Sequence, residues 1–121
     1  MAEHFLAKVT SQQPLKDLLK DGSQDSGTVV TVEIGFGTPA ENDRIVPDAI
    51  SAIASLGLTG GAGICFNGRA SLPVAMAISH AVAHLYGFVA CFDPKMERFI
   101  VAVSHKSGFK PGDLLWGLDP K

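Results

Sequence analysis

A short apolar strand, a glycine-containing turn, an apolar helix and a second apolar strand follow one another without interruption in residues 63–92. Residues 63–66 and 88–92 are of strand length, and residues 72–86 between them are rich in alanine, valine, methionine and isoleucine. A strand–helix–strand crossover joins parallel strands through a right-handed connection. A continuous apolar strand is typical of a sheet covered on both faces, and a helix that is apolar on nearly all sides is expected to be largely buried. This stretch therefore predicts an α/β fold.

Further strands and one further helix are predicted on either side of this stretch. Residues 28–34 are mostly β-branched and predict a strand, and Pro47 can open a helix that stops at Leu56–Gly57. In chain order, the predicted elements are strands at 5–10 and 28–34, a helix from Pro47 to Leu56, a strand at 63–66, a helix at 72–86, and strands at 88–92, 98–103 and 115–116. We therefore expect a single domain over residues 1–121, with a mixed sheet flanked by helices.

The composition limits the classes of partner. Hydrophobic residues make up 46% of the 121 residues and charged residues only 18%, against roughly 25% charged in an average globular protein. This excludes a disordered chain and indicates that some apolar surface is buried against another subunit. The formal net charge of -2 and a pI near 6.0 argue against binding of duplex DNA, which needs a basic face.

The sequence also predicts where the protein resides. Residues 1–10 lack the basic start and apolar region of a signal peptide, and the longest run without formal charge, residues 70–92, is too polar and broken to span a membrane. Cys65 and Cys91 have no partner at CxxC spacing, which favours reduced, buried thiols. We therefore expect a cytoplasmic protein.

The turn Asn67-Gly68-Arg69-Ala70-Ser71 is the first candidate binding site. It joins a strand to a helix and offers backbone N–H groups, a helix dipole and one guanidinium, which together favour a phosphate. An ordinary helix cap with a solvated arginine explains the same residues, and the turn is neither a Walker loop nor a GxGxxG motif. Because ligands of parallel sheets bind at the carboxyl ends of strands, residues 67–71 and 93–95 are expected at the same end.

Three histidines and one aspartate are candidates for chemistry. His80 and His84 lie four residues apart on one helix face, which is a metal-ligand spacing but is more often explained by core packing. His84 lies near the end of the helix, where the dipole favours imidazolium. Asp93 follows a buried strand as either a turn former or a functional carboxylate, and His105 alone is an exposed loop histidine. As a set with nearby cations, these groups are those that phosphodiester chemistry needs.

The ordered series of these residues resembles the CRISPR ring nuclease 3 family, small proteins of type III CRISPR systems. The resemblance covers about residues 63–115, and residues 28–34 with the helix after them fit more loosely. It rests on the following segments: Asn67-Gly68-Arg69, His80 and His84, residues 88–95 (FVACFDPK), Val103-Ser104-His105 and residues 110–113 (KPGD).

The resemblance implies a compact variant of the CRISPR-associated Rossmann-like fold that forms a homodimer and stacks further, to a tetramer, on its ligand. It implies cleavage of the second messenger cyclic tetra-adenylate with manganese, and a related removal of adenylates from RNA 3′ ends. Position by position, the residues that match the family's active site are His84, Asp93 and His105, and those that match its ligand-binding loop are Asn67, Gly68 and Arg69, to which we add Ser71.

Two positions depart from the family pattern. Lys95 stands where an arginine is expected, and it keeps the charge but loses the bidentate fork. His80 is offset by one residue from the family's upstream histidine. Both are retained as ligand-binding candidates, and Asp93 and His105 are retained as candidate manganese ligands.

The expected mechanism is attack by a ribose 2′ oxygen on its adjacent phosphate, with His84 or His105 moving the proton and Asp93 positioning manganese or an imidazole. Linear di-adenylates would result. Three alternatives stay open: a non-catalytic module that binds the cyclic oligonucleotide, an exonuclease acting on RNA tails, and an oligomeric structural domain whose histidines only pack.

Overall fold

Six strands lie side by side in the order in which they occur in the chain, within the part that the structure describes. The computed structural model describes residues 3–18 and 27–115. The strands are β1 (Phe5–Pro14), β2 (Thr28–Phe36), β3 (Gly61–Gly68), β4 (Tyr86–Asp93), β5 (Arg98–Ser104) and β6 (Leu114–Leu115). Helix α1 (Asn42–Ala54) connects β2 to β3, helix α2 (Leu72–Ala83) connects β3 to β4, and a 3-10 helix, Leu15–Leu18, follows β1.

The central strands β2, β3 and β4 are parallel, whereas β1, β5 and β6 are each antiparallel to a neighbour. The predicted mixed sheet of an α/β fold is therefore confirmed, including the parallel crossover through α2. We call the end of the sheet at which β2, β3 and β4 finish the carboxyl edge, and the end at which they begin the amino edge. Both α-helices begin at the carboxyl edge and run back toward the amino edge.

Both α-helices pack against the same face of the sheet and against each other. Helix residues and alternate strand residues form one core on this face, which contains Ile45, Ala49, Ile53, Val74, Ile78, Val82, Val30, Val32, Ile34, Ile64, Phe66 and Val89. The second face buries Cys65, Phe88, Ala90, Phe99 and Val101 beneath Leu15, Leu18 and Phe109. The prediction that β4 is covered on both faces is confirmed, because Val89 and Phe88 lie in different cores. Among the described residues, loop and 3-10 segments rather than α-helices cover the second face.

Helix α1 begins five residues before the position predicted from Pro47. Glu41 is its N-cap residue, and the backbone N–H groups of Arg44 and Ile45 donate to the carbonyl oxygen of Glu41. Ile45 is buried in the same core as Ala49, so the first turn is already fixed by packing. Pro47 therefore lies inside the helix, where burial of the preceding turn outweighs its preference for the first helical position.

Helix α2 differs from its prediction in length and in burial. It ends at Ala83 rather than Tyr86, because Tyr86 already pairs with Gly61 as the first residue of β4. Its buried residues are Val74, Ile78 and Val82, which form one stripe. The expectation of a largely buried helix is wrong for the single chain, since Leu72 is 76% exposed and Met76 is 66% exposed.

Two further predictions are modified. Cys65 and Cys91 are both free, as expected, but only Cys65 is buried and Cys91 is exposed. The last strand is Leu114–Leu115, and Trp116, the end of the predicted strand, lies outside the described residues.

Of the helices described within residues 3–18 and 27–115, none has the length and apolar character needed to cross a membrane.

A carboxylate on α1 secures the start of β1. The Oδ2 atom of Asp48 accepts hydrogen bonds from the backbone N–H groups of Glu3 (3.0 Å) and His4 (2.8 Å). His4 is buried, and its Nδ1 atom lies 2.8 Å from the carbonyl oxygen of Thr38. The two backbone donors, with the nearby His4 ring, lower the pKa of Asp48 below its ordinary value of 3.8, because they favour the charged form.

This contact makes the attachment of β1 sensitive to acid. Because the folded pKa of Asp48 is lowered, its stabilising effect is fully present above pH 3.8 and is lost as the pH falls through the folded pKa. We expect Asp48→Asn to lower the melting temperature at neutral pH, and we expect its difference from the unmodified protein to shrink progressively as the pH falls below 3.8. Asp17→Asn, an exposed control in the 3-10 helix, should leave the melting temperature unchanged throughout. A difference between Asp48→Asn and the unmodified protein that does not shrink with acidification would contradict this account.

Candidate functional site

The Asn67–Ser71 turn lies at the carboxyl edge, between the end of β3 and the start of α2. The backbone N–H of Arg69 donates to the carbonyl oxygen of Ile34 at 3.3 Å, which holds the turn against β2, while the Arg69 side chain is exposed. Asn67 lies opposite Glu33 on β2. The turn therefore has a fixed backbone and presents a cation to solvent beside a helix N-terminus, which is an arrangement that favours an anion.

Ser71 serves as the N-cap of α2. Its Oγ atom accepts from the backbone N–H of Val74 at 3.4 Å and donates to Oδ1 of Asn42 at 2.8 Å. Asn42 is the first residue of α1, so this pair of side chains links the starting points of the two helices. The capping interpretation of Ser71 is thus confirmed, and a role in ligand binding stays a prediction.

Gly68 has a backbone conformation that the turn requires. Its φ is +131°, in the region that L side chains rarely adopt. A Cβ atom at this position would also overlap the carbonyl oxygen of Ile34, the same oxygen that accepts from Arg69. The glycine therefore permits the close approach of β3 to β2 that places the Arg69 backbone.

Asp93 and Lys95 lie at the same edge, as predicted. Asp93 is the last residue of β4, and its Oδ1 atom accepts from the backbone N–H groups of Lys95 (2.8 Å) and Met96 (3.3 Å). These bonds form an Asx turn, so the turn-forming interpretation of Asp93 is confirmed. Its second carboxylate oxygen takes part in no hydrogen bond with another described residue, and the Lys95 side chain is exposed.

His84 and His105 lie at the amino edge instead. His84 is the C-cap residue of α2, and the backbone N–H of His105 donates to the carbonyl oxygen of Gly87 at 3.0 Å, beside the start of β4. His80, one turn before His84, is exposed like the other two histidines. The packing interpretation of the His80 and His84 pair is therefore wrong, since neither side chain is buried.

The sheet separates the two halves of the predicted site. Strand β4 has eight residues, so its ends are roughly 20 Å apart at about 3.3 Å per residue. Asp93 is at one end of this strand, and His84 and His105 are at the other. Within one chain, the imidazoles therefore do not reach the phosphate-binding edge or the Asp93 carboxylate.

The distance between Asp93 and the histidines also limits which residues of one chain could bind a metal ion together. Within residues 3–18 and 27–115, no group of three or more His, Cys, Asp or Glu side chains has an arrangement that could hold a metal ion. The Asp93 carboxylate is a ligand type that manganese prefers, but Asp93 and His105 lie at opposite edges of the sheet in a single chain. A manganese site made by one copy alone does not fit these residues.

Two cations at the carboxyl edge were missed in the sequence analysis, and one of them, Arg98, is the first residue of β5 and lies opposite Asp93. The other, Arg44, lies in the first turn of α1, which starts at the same edge as α2, and its side chain is exposed. Ligands of parallel sheets bind at the carboxyl ends of strands, and this applies to the residues after β2 as well as to residues 67–71. The position of Arg44 could therefore have been predicted from the sequence. Asp43 adjoins Arg44 in the first turn of α1, so the two formal charges there cancel.

Part of the chain matches the model of a known protein family. Residues 39–116, more than half of the chain, match the family model described as CRISPR-associated protein (Cas_csx3). The chain belongs to the CRISPR-associated Csx3 family. The Csx3 match includes α1, the Asn67–Ser71 turn, Asp93 and His105, and so extends over more of the chain than the resemblance from residue 63. Searches of curated proteins and of solved structures gave no match.

The close approach at Gly68 leads to a test of the turn. We expect Gly68→Ala to destabilise the protein by about 3 kcal/mol or more, because backbone strain and overlap with the Ile34 carbonyl act together. The control is Gly108→Ala, at a φ of +91° with open space around it, which should cost only about 1 kcal/mol of strain. Denaturant unfolding measures both. Equal losses would show that the overlap contributes nothing.

Proposed function

We propose that this Csx3-family protein is a ring nuclease that cleaves cyclic tetra-adenylate to linear di-adenylates. The observation that carries the proposal is the carboxyl edge, where a fixed turn presents Arg69 at the N-terminus of α2 and β4 ends at Asp93 and Lys95. Guanidinium, ammonium and helix dipole together favour phosphodiester groups. Membership of a CRISPR-associated family supports a nucleotide of the CRISPR response as the source of those phosphates.

The proposed active site is formed by two copies of the chain. Asp93 and the phosphate-binding residues of one copy would face His84 and His105 of another, because the sheet keeps these groups apart within one chain. Such a contact joins unlike surfaces, and it lets copies stack. The homodimer and the ligand-induced tetramer implied by the family resemblance are part of this proposal, and the exposed Leu72 and Met76 are consistent with further apolar contact between copies.

The proposed chemistry is an in-line displacement within the ring. An imidazole of His84 or His105 accepts the proton of a ribose 2′-OH, and the 2′ oxygen forms a bond to the adjacent phosphorus. The bond from phosphorus to the 5′ oxygen breaks, and this oxygen takes up a proton from a second imidazolium or from water. Each event leaves a 2′,3′-cyclic phosphate, and two events convert the ring into two di-adenylates. Arg69 and Lys95 would stabilise the charge on the phosphate oxygens.

Manganese is proposed as a requirement of the assembled protein only. When bound, a divalent ion would withdraw charge from phosphate oxygens, and Asp93 of one copy with His105 of another would hold it. The chain's own side chains carry out the bond-making and bond-breaking steps described above.

A cytoplasmic location, where thiols such as Cys91 stay reduced, belongs to the same proposal.

A non-catalytic binding function is the second candidate, because Asp93 already has a structural role in its turn. In that case the chain would bind the ring at Arg69 and Lys95 and release it intact. Chromatography of the ring after incubation separates the two candidates, and competition with a short RNA ending in adenylates tests the exonuclease alternative.

Mixing two inactive variants tests the shared active site. We expect His105→Ala and Asp93→Ala each to reduce cleavage of cyclic tetra-adenylate by about 100-fold or more. In an equimolar mixture, about a quarter of the contacts would place an intact Asp93 of one variant against an intact His105 of the other. Cleavage by the mixture should therefore recover to about a quarter of the rate of the unmodified protein. Unchanged cleavage by Asp93→Ala would contradict its catalytic role, and a mixture that stays inactive would contradict sharing between copies.

Substitution of the cations tests the binding edge. Arg69→Ala should weaken binding of cyclic tetra-adenylate by about tenfold or more, because a charge-assisted contact is lost. Lys95→Arg should bind at least as tightly as the unmodified protein, since arginine restores a bidentate fork. Lys110→Ala removes an exposed cation from the turn before β6 and serves as the control. Equal loss in Arg69→Ala and Lys110→Ala would indicate only a general effect of net charge.

A further inference from the structure

A cavity of about 260 Å³ lies beside the Asn67–Ser71 turn, between α2 and the carboxyl halves of β3 and β4. Its walls include Gly68 and Ala70 from the turn, Ala75 and Ser79 from α2, and Cys91 from β4. Because these side chains are small, α2 leaves space over β4 where a longer residue would fill it.

The size and lining of this cavity suit a flat aromatic ring system. Apolar atoms form most of its walls, and a hydroxyl at Ser79 and a thiol at Cys91 supply polar groups. A closed apolar cavity of roughly 150 Å³ is enough to admit benzene, so the larger volume here can admit two fused rings. Ligand pockets commonly combine such an apolar body with few polar groups that fix orientation.

The position of the cavity identifies what the ring system is attached to. Gly68 and Ala70 both line the cavity, and Arg69 between them has its side chain exposed at the N-terminal side of α2. An apolar slot for a ring and a cation for a phosphate are thus adjacent. A molecule that satisfies both at once carries an aromatic base and a phosphate on a short connector, as a nucleotide does.

We propose that this cavity is a base-binding subsite that holds the purine ring of a nucleotide whose phosphate contacts Arg69. The choice of adenine as the base rests on the proposed function, but the subsite itself does not depend on cleavage. One base of a bound ring would enter the cavity of each copy. The base would thereby position its own phosphate at the turn, and ring binding would depend on base identity as well as on charge.

Protection of Cys91 from alkylation provides a test with a simple probe, adenosine 5′-monophosphate. Cys91 is exposed and lines the cavity, whereas Cys65 is buried in the other core. Iodoacetamide reacts with the thiolate form of cysteine, so the reaction is followed at mildly alkaline pH. We expect saturating adenosine monophosphate to slow this alkylation by about tenfold, while ribose 5-phosphate and inorganic phosphate have little effect.

Two neighbouring residues of α2 offer a matched pair of variants. Ala75→Phe places an aromatic side chain in the cavity, whereas Met76→Phe changes an exposed residue outside its lining. Both positions are exposed, so both variants are expected to fold. Affinity for adenosine monophosphate, measured by equilibrium dialysis, should fall at least about tenfold in Ala75→Phe and stay unchanged in Met76→Phe.

The outcomes separate this subsite from the ring-nuclease proposal. Protection by adenosine monophosphate that Ala75→Phe abolishes supports the subsite even where cyclic tetra-adenylate is not cleaved. Equal protection by ribose 5-phosphate, or unchanged binding in Ala75→Phe, overturns the subsite even where the ring is cleaved. Protection of Cys91 that rises with protein concentration alone, without nucleotide, also overturns it, because a second copy would then occupy the cavity.

Discussion

Parallel pairing of β2, β3 and β4 in chain order is the constraint on which the other features depend. Parallel neighbours need a crossover, and successive crossovers in the same direction place both helices on one face. The same pairing brings the starts of α1 and α2 to one edge, so that Ser71 can reach Asn42. The phosphate-favouring turn at Gly68–Arg69 and the cavity beneath α2 are both consequences of where these two helices begin.

Much of this arrangement could be predicted from residues 63–92 alone. Apolar strands of the right length on either side of a helix determine a parallel crossover, and the crossover determines which turns meet. The start of α1 could not be read from Pro47, because the deciding contribution is burial of Ile45 against residues distant in sequence. The exposure of Leu72 and Met76 also escaped prediction, since an apolar composition does not say whether a helix meets its own sheet or another molecule.

The candidate site was predicted in its parts but not in its assembly. Asp93 and Arg69 were expected at one end of the sheet, and they are. His84, however, lies at the end of a helix that starts at this edge, and β5 runs antiparallel to β4 before His105. Strand and helix direction therefore send both imidazoles to the opposite edge. The linear order of candidate residues in the sequence carries no such information until the direction of each element is considered.

The roughly 20 Å between the two edges has a consequence for how activity depends on protein concentration. If the reacting groups are contributed by different molecules, the active site exists only while two copies are associated. Dilution then separates the copies and abolishes the active site, although each chain stays folded. Activity per molecule then rises with abundance instead of staying constant. If the proposed function holds, the rate of nucleotide cleavage would therefore rise more steeply than in proportion to the concentration of the protein.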